Sequence, residues 1–391
     1  MSQGILLGGS GGYGTLPEQA TSFYATNDDA KVELTWQNPS DDSFSGVLIV
    51  RRTEDYPKRP SDGVKIYKGT GTSCIDTGLI NGTQYYYRAF AYNSRGEYQT
   101  IFCVATAVPR AGILASALPT GAKIKLGMYY GKPIVWNVID KNHSGYPANS
   151  VTLMSDRILT LKCFDAKEPT NSDSNRHNYG NNRYAVSNIR QWLNSDANAG
   201  KWYSAQHPYD APPNSDNVWS NYNEYDAEAG FLNDFSANAK NALLNTTLTT
   251  VLNTITDAEN IGAYEENIAD KIFLASRTEM GFGNESNIAE GTPFSVFDSD
   301  ASRDSLRTDE CINHSEYLGV LGYWLRTPTL LGTSQMYSVR TNWNPSSDNG
   351  TLSGSDSYCG NTGIRPLCNI SGSTIISAEP DTDGCYTLRE V

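Results

Sequence analysis

Residues 77–88, TGLINGTQYYYR, decide how the first part of the chain folds. A turn at Asn81-Gly82 precedes an aromatic run that opens a long strand, Gln84–Tyr92 (QYYYRAFAY). Working back from it, Val32, Leu34 and Trp36 alternate with Glu33 and Thr35, the period of a half-buried strand. Asn38-Pro39 and Asp41-Asp42 then mark a turn, and Gly46–Arg52 (GVLIVRR) and Val64–Tyr67 supply two further strands. Working forward, Tyr98–Ala107 closes the set. Short strands divided by turn signals, with no helical periodicity between them, predict an antiparallel all-β sandwich over residues 20–108.

The corner at 77–88 resembles the E-to-F corner of a fibronectin type III domain. In that family a Leu six residues before a Tyr builds the tyrosine corner, which Leu79 and Tyr85 match, and Trp36 fits the early-strand core Trp. The preceding string, LTWQNPSDDSFSGVLIVRRTEDYPKRPSDG, is similar to type III modules of bacteriophage tail and fibre proteins, which implies a spacer without chemistry of its own.

Residues 109–121 read as a connector of small residues, and a second domain is expected over 122–372, with 373–391 as a C-terminal tail. Ile124, Leu126 and Met128 alternate before a turn at Tyr130-Gly131-Lys132-Pro133, which predicts a hairpin with Ile134–Asp140. Residues 150–164 (SVTLMSDRILTLKCF) continue in extended form. Val186, Ile189 and Leu193 share a helical face behind Ser187 as N-cap, and a second helix is expected over Ser236–Leu248. The blocks RQWLN, KIFLASRTE, GYWLRTP and GIRPLCNI follow in order. That order is similar to a domain of unknown function common in Gram-positive bacteria and their phages. The family looks like a branch of the C-type lectin fold, related to formylglycine-generating enzymes and to the variable proteins of diversity-generating retroelements. The resemblance implies an α+β C-type lectin-like domain in which Trp324, Arg326, Arg365 and Pro366 occupy motif positions, read here as core and buried-pair structure. The fold class expected is thus multidomain, a fibronectin type III-like sandwich followed by this α+β unit.

The composition excludes several functions. Thirty Lys and Arg against 43 Asp and Glu leave a net charge of −13, which disfavours a nucleic-acid partner. No run is long and apolar enough to insert in a membrane. Residues 1–19 are Gly-rich, carry no secretory pattern, and read as a leader through which other virion tail proteins would attach. Seven scattered Cys form no CxxC pair, and the four His (143, 177, 207, 314) stand in polar contexts expected to be solvated loops. No metal, cofactor or catalytic residue is expected. Cys359 and Cys368 are the one pair worth checking for a bridge. Residues 205–270 carry eleven Asp and Glu against Lys240 alone and read as a solvated face.

Ligand chemistry is expected between the last two blocks, over 333–363, where only Arg340, Asp348 and Asp356 are charged. Tyr337, Trp343 and Tyr358 offer stacking surfaces, Asn342, Asn344, Ser346 and Asn349 offer amides and a hydroxyl, and Arg340 with Asp348 offers charge. The stretch resembles the variable region of retroelement-diversified lectin-like proteins. Together these readings imply a phage tail or fibre receptor-binding protein. It would assemble in the host cytoplasm into the virion and adhere to a host cell-surface glycan or protein as a homo-oligomer, a trimer for preference. The alternatives are a structural baseplate or bacterial surface interaction protein without a receptor site, or an enzyme acting on host glycans.

Overall fold

The computed structural model describes residues 15–316, 322–341 and 348–389. The first fourteen residues of the expected leader, and Asn342, Trp343, Asn344 and Ser346 of the expected binding stretch, lie outside the described residues. The chain divides into two compact units, residues 1–112 and 113–391.

The first unit holds seven strands: β1 (Thr21–Asp28), β2 (Lys31–Gln37), β3 (Gly46–Arg52), β4 (Val64–Gly69), β5 (Ser73–Thr77), β6 (Tyr85–Tyr92) and β7 (Val104–Ala107). They form a three-stranded sheet, β1-β2-β5, and a four-stranded sheet, β4-β3-β6-β7, which is a β-sandwich. Val32, Leu34 and Trp36 from β2 meet Val47 and Ile49 from β3 and Tyr85, Tyr87 and Ala89 from β6 in one core. The Trp36 indole packs against Tyr67, ring centroids 5.1 Å apart, and donates from Nε1 to Oδ1 of Asn38 at 2.9 Å. Leu79 and Tyr85 are both buried, and the Ile80 N–H donates to the Tyr85 hydroxyl at 3.0 Å, closing the corner. Tyr85→Phe leaves that N–H without its acceptor, so a loss of about 1 kcal/mol in the unfolding free energy of this unit is expected from denaturant titration. The strand expected over 98–107 is shorter, Val104–Ala107; upstream of it the Arg88 guanidinium donates to the Thr100 carbonyl at 2.5 Å.

The second unit begins with β8 (Ile113–Leu114), β9 (Lys123–Tyr129), β10 (Lys132–Lys141), β11 (Ser150–Ser155) and β12 (Thr160–Leu161). It continues with β13 (Thr246–Val251), β14 (Glu265–Asp270), β15 (Ile272–Phe273), β16 (Tyr323–Pro328), β17 (Gln335–Val339) and β18 (Leu352–Asp356). The last four are β19 (Gly363–Ile364), β20 (Leu367–Ser371), β21 (Ile375–Ile376) and β22 (Cys385–Thr387). A six-stranded sheet runs β15-β20-β11-β10-β9-β22 and a five-stranded sheet runs β12-β19-β16-β17-β18. Tyr130 and Gly131 both take positive φ, 48° and 70°, which is what a two-residue turn between β9 and β10 requires. Short helices lie between the strands, among them α1 (Ser174–Tyr179), α2 (Asn188–Leu193) and α3 (Ala237–Ala242). Ser187 caps α2 through the Arg190 N–H.

Four expectations need correction. The helix expected over 236–248 stops at Ala242, because the β-branched run from Thr246 pairs with β14 instead. Residues 113–121 are not linker: β8 pairs with β21, and Ala115 and Leu118 enter the core. Nor is 373–391 a loose tail, since β22 runs parallel to β9 at the sheet edge. The acidic stretch is not a solvated face throughout. Glu228, Asp257, Glu266 and Asp270 are ion-paired to Lys162, Arg176, Arg183 and Arg190, at 2.7, 2.6, 2.6 and 2.8 Å.

Of the motif residues, Trp324 is fully buried and donates from Nε1 to the Lys162 carbonyl at 2.9 Å. Arg326 meets Glu279 through two bonds of 2.6 and 2.8 Å, with 1% and 0% of the two side chains exposed. Arg365 donates to the Ser155 carbonyl at 3.2 Å and to the Tyr323 hydroxyl at 3.3 Å, and Pro366, lacking an N–H, separates β19 from β20 while its carbonyl accepts from Ser155.

Candidate functional site

The stretch expected to bind is a hairpin of β17 and β18, and the structure spreads its residues along it. At one end the Arg340 N–H donates to the Thr351 carbonyl, Arg340 Nη1 lies 3.4 Å from Asp348 Oδ2, and Asn349 Nδ2 lies 3.3 Å from Asp304 Oδ2. Tyr337 sits mid-strand with the Arg277 guanidinium 5.1 Å over its ring. Tyr358 follows the opposite end, where Gln335 faces Asp356. Four residues of extended strand separate the two ends, roughly 13 Å. The described residues of the expected stretch thus span the length of the hairpin, Arg340, Asp348 and Asn349 toward one end and Tyr358 beyond the other.

At the Tyr358 end, three segments distant in sequence converge. The Tyr358 N–H donates to the Tyr179 carbonyl at 3.0 Å and its carbonyl accepts from Trp219 at 2.9 Å, while the Lys167 N–H donates to the Asn217 carbonyl at 2.9 Å. These backbone bonds place the rings. Tyr179 and Tyr358 meet edge to face with centroids 5.5 Å apart, the Lys167 ammonium stands 5.6 Å over Tyr358, and Trp219 lies 5.6 Å from Tyr222. Gly360 is held here because a Cβ would come 2.0 Å from the Tyr222 carbonyl oxygen. None of these rings is fully buried, so the group presents apolar faces, phenol hydroxyls and one ammonium at the surface.

A polar network lies on the neighbouring segments. Asp165, on the same short segment as Lys167, accepts from the N–H groups of Asn181 and Asn188 at 3.1 and 2.9 Å. The Asn188 amide donates to Asp210 at 3.0 Å, and the Asn181 amide to Glu168 at 2.9 Å. Glu168 also lies 3.1 Å from Nε2 of His207. Burial, with the Asp210 and Glu168 charges added, pushes the Asp165 carboxyl well above the usual range, and burial pushes Asp210 up as well. Burial alone would raise Glu168 too, but hydrogen bonds from His207, Asn171 and Asn181 outweigh it and hold that carboxyl low. Because Asp165 and Asp210 bind protons more tightly when folded, their contribution to stability is whole below about pH 4 and is lost as pH rises through the folded-state values. Asp210→Asn removes one of the two charges. Its stability relative to the wild type is expected to rise from about pH 4 to about pH 8 in urea midpoints, and a pH-independent gap would contradict the coupling.

The histidines are not solvated loops as a group. His143 is buried against Asp140, His207 meets Glu168, and His314 stacks on Tyr130 at 4.1 Å; His177, on α1, is exposed. All seven Cys are free thiols. Burial, with Asp356 nearby, pushes the Cys359 thiol up to about 12, and burial pushes Cys368 well above its ordinary value, so both are weak nucleophiles at neutral pH. Among the described residues no three His, Cys, Asp or Glu side chains are placed to hold a metal ion, and no helix is long and apolar enough to cross a membrane.

Sheet order and the tyrosine corner define the chain as a fibronectin type III-like sandwich joined to a larger β-rich unit with short helices. Residues 148–372 match the family described as "Domain of unknown function (DUF6273)", and the chain belongs to that family. Among solved structures, the chain is similar to a Fn3-like protein from Clostridium thermocellum, 24% identical over 26% of this chain and 98% of that one, with a TM-score of 0.20. It is similar also to the Clostridium perfringens spore cortex lytic enzyme SleM, 13% identical over 24% of this chain and 28% of that one, TM-score 0.20. The chicken CNTN1 FN1-FN3 domains are 18% identical over 42% of this chain and 45% of that one, TM-score 0.18. No curated protein matches the chain.

Proposed function

We propose that the chain is a virion tail or fibre protein that adheres to a host cell-surface glycan through its second unit, with the first unit as spacer. The observation that carries this reading is the surface group of Tyr179, Tyr358, Trp219 and Tyr222 beside Lys167. Aromatic faces stack on the C–H faces of sugar rings, and the ammonium suits a carboxylate or phosphate on the same polymer. The lectin-like lineage of the second unit, its diversification by a retroelement and assembly as a trimer belong to the same proposal, and several weak sites on one oligomer would give the avidity adhesion needs.

The test is binding of the purified chain to Gram-positive cells and to their isolated wall polysaccharides. A Tyr179→Ala, Trp219→Ala, Tyr358→Ala triple variant of unchanged thermal stability is expected to bind at least about tenfold more weakly, since two or more stacking residues are lost at once. Equal binding by both proteins, or binding by neither to any wall, would turn the reading toward a structural protein of the particle.

A further inference from the structure

Asp140, His143 and Thr292 stand in a line. Nδ1 of His143 lies 2.7 Å from Oδ2 of Asp140, and its Nε2 lies 3.0 Å from Oγ1 of Thr292. A carboxylate can only accept, so Nδ1 donates to Asp140, and in the neutral ring the Nε2 lone pair faces the threonine hydroxyl, which donates to it. The ring is clamped as well as oriented. Its centroid is 4.2 Å from Phe294 and 4.7 Å from Tyr146, and the Tyr146 hydroxyl is anchored on Glu279 at 2.6 Å. His143 is 5% exposed, whereas Thr292, on a loop 149 residues later, is exposed. An alcohol on an exposed residue, a buried base bonded to it and a carboxylate behind the base is the arrangement that activates an alcohol for attack.

We propose that Thr292 is an acyl-accepting nucleophile and that the Asp140–His143–Thr292 line hydrolyses carboxylic esters with small acyl groups, such as acetyl esters. Thr292 Oγ1 bonds to the ester carbonyl carbon while its proton passes to His143 Nε2. The bond from that carbon to the alcohol oxygen then breaks, and Nε2 returns the proton to the departing alcohol. Water attacks the acyl-threonine carbon in turn and gives a proton to Nε2; the bond from that carbon to Oγ1 then breaks, Nε2 returns the proton to Oγ1, and the carboxylic acid leaves. The side-chain methyl of Thr292, on the same carbon as the oxygen, crowds it, which favours an unhindered acyl group. Asp140 touches no substrate and acts by positioning the ring. This activity does not depend on the adhesive reading above.

The full chain is incubated with p-nitrophenyl acetate, and nitrophenol release is followed together with peptide mapping of any attached acetyl group. Wild type is expected to release nitrophenol roughly 100-fold faster than Thr292→Val and His143→Gln, with the acetyl group, where trapped, on Thr292. Thr292→Ser keeps the hydrogen bond and removes the methyl, so it is expected to match or exceed wild type. Asp140→Asn is expected to lower kcat with little change in KM. Unfolding curves check each variant, and Thr292→Val, a surface change, serves where His143→Gln does not fold. Release by wild type no faster than by Thr292→Val, or acetyl groups found on lysines only, overturns the proposal and leaves the line a structural clamp.

Discussion

Replacing Glu279 with Leu is expected to destabilise the second unit by about 3–5 kcal/mol. The carboxylate is fully buried and holds both terminal nitrogens of Arg326, itself buried, while accepting from the Tyr146 hydroxyl at 2.6 Å and the Ser276 N–H at 2.9 Å. Without it the guanidinium keeps the carbonyls of Leu274 and Glu290, at 2.9 and 3.1 Å, but loses its directly bonded carboxylate. A buried cation stripped of its partner costs far more than an exposed pair is worth. The double variant Glu279→Leu, Arg326→Met removes both charges and is expected to recover part of the loss. Urea titration followed by tryptophan fluorescence reads both. A single-variant loss below about 1 kcal/mol, the range of exposed pairs, would show that water reaches the site.

Trp36→Ala is expected to cost the first unit about 3–5 kcal/mol, the range for emptying a large aromatic site in a packed core. The indole is 3% exposed and touches both sheets' side chains through Phe23, at 6.4 Å, and Tyr67. Its removal opens a cavity and leaves Asn38 without the indole donor. The core around Trp36 is drawn from residues 20–107, so the loss belongs to the unfolding transition of this unit. Calorimetry that resolves two transitions is expected to show one move and the other stay. A shift of both by the same amount would mean that the two cores unfold as one.

The first unit was largely legible from its sequence because its strands repeat with period two around obvious turns. β2, β3 and β6 fell where the strand patterns placed them, and Leu79 with Tyr85 marked the corner through their resemblance to the fibronectin type III motif. β1 and β5 were missed: TSFYATND and SCIDT are short of apolar residues, and their pairing with β2 comes from backbone bonds that leave no mark on composition. In the second unit the hairpin of β9 and β10 and the cap of α2 could be read locally. The surface group could not. Lys167, Tyr179, Trp219 and Tyr358 are joined by main-chain contacts between distant segments, and no window of sequence contains two of their partners in register. The same holds for Thr292, whose histidine lies 149 positions away; Asp140 and His143 are only three apart, but His143 was read as a solvated loop residue. Charge counts misled over residues 205–270 because the cations that neutralise that stretch sit at 162–190.

The pairing of β22 with β9 has a mechanical side. Cys385, Tyr386 and Thr387 lie parallel to Lys123, Ile124 and Lys125, so both strands point the same way while the chain enters through the start of one and leaves past the end of the other. Traction between those ends slides the two strands along each other and loads their hydrogen bonds together. An antiparallel pair pulled at adjacent ends would instead open like a zipper, one bond after another. Force applied across the second unit, between the start of β9 and the end of β22, would therefore meet a shear clamp at the edge of its six-stranded sheet.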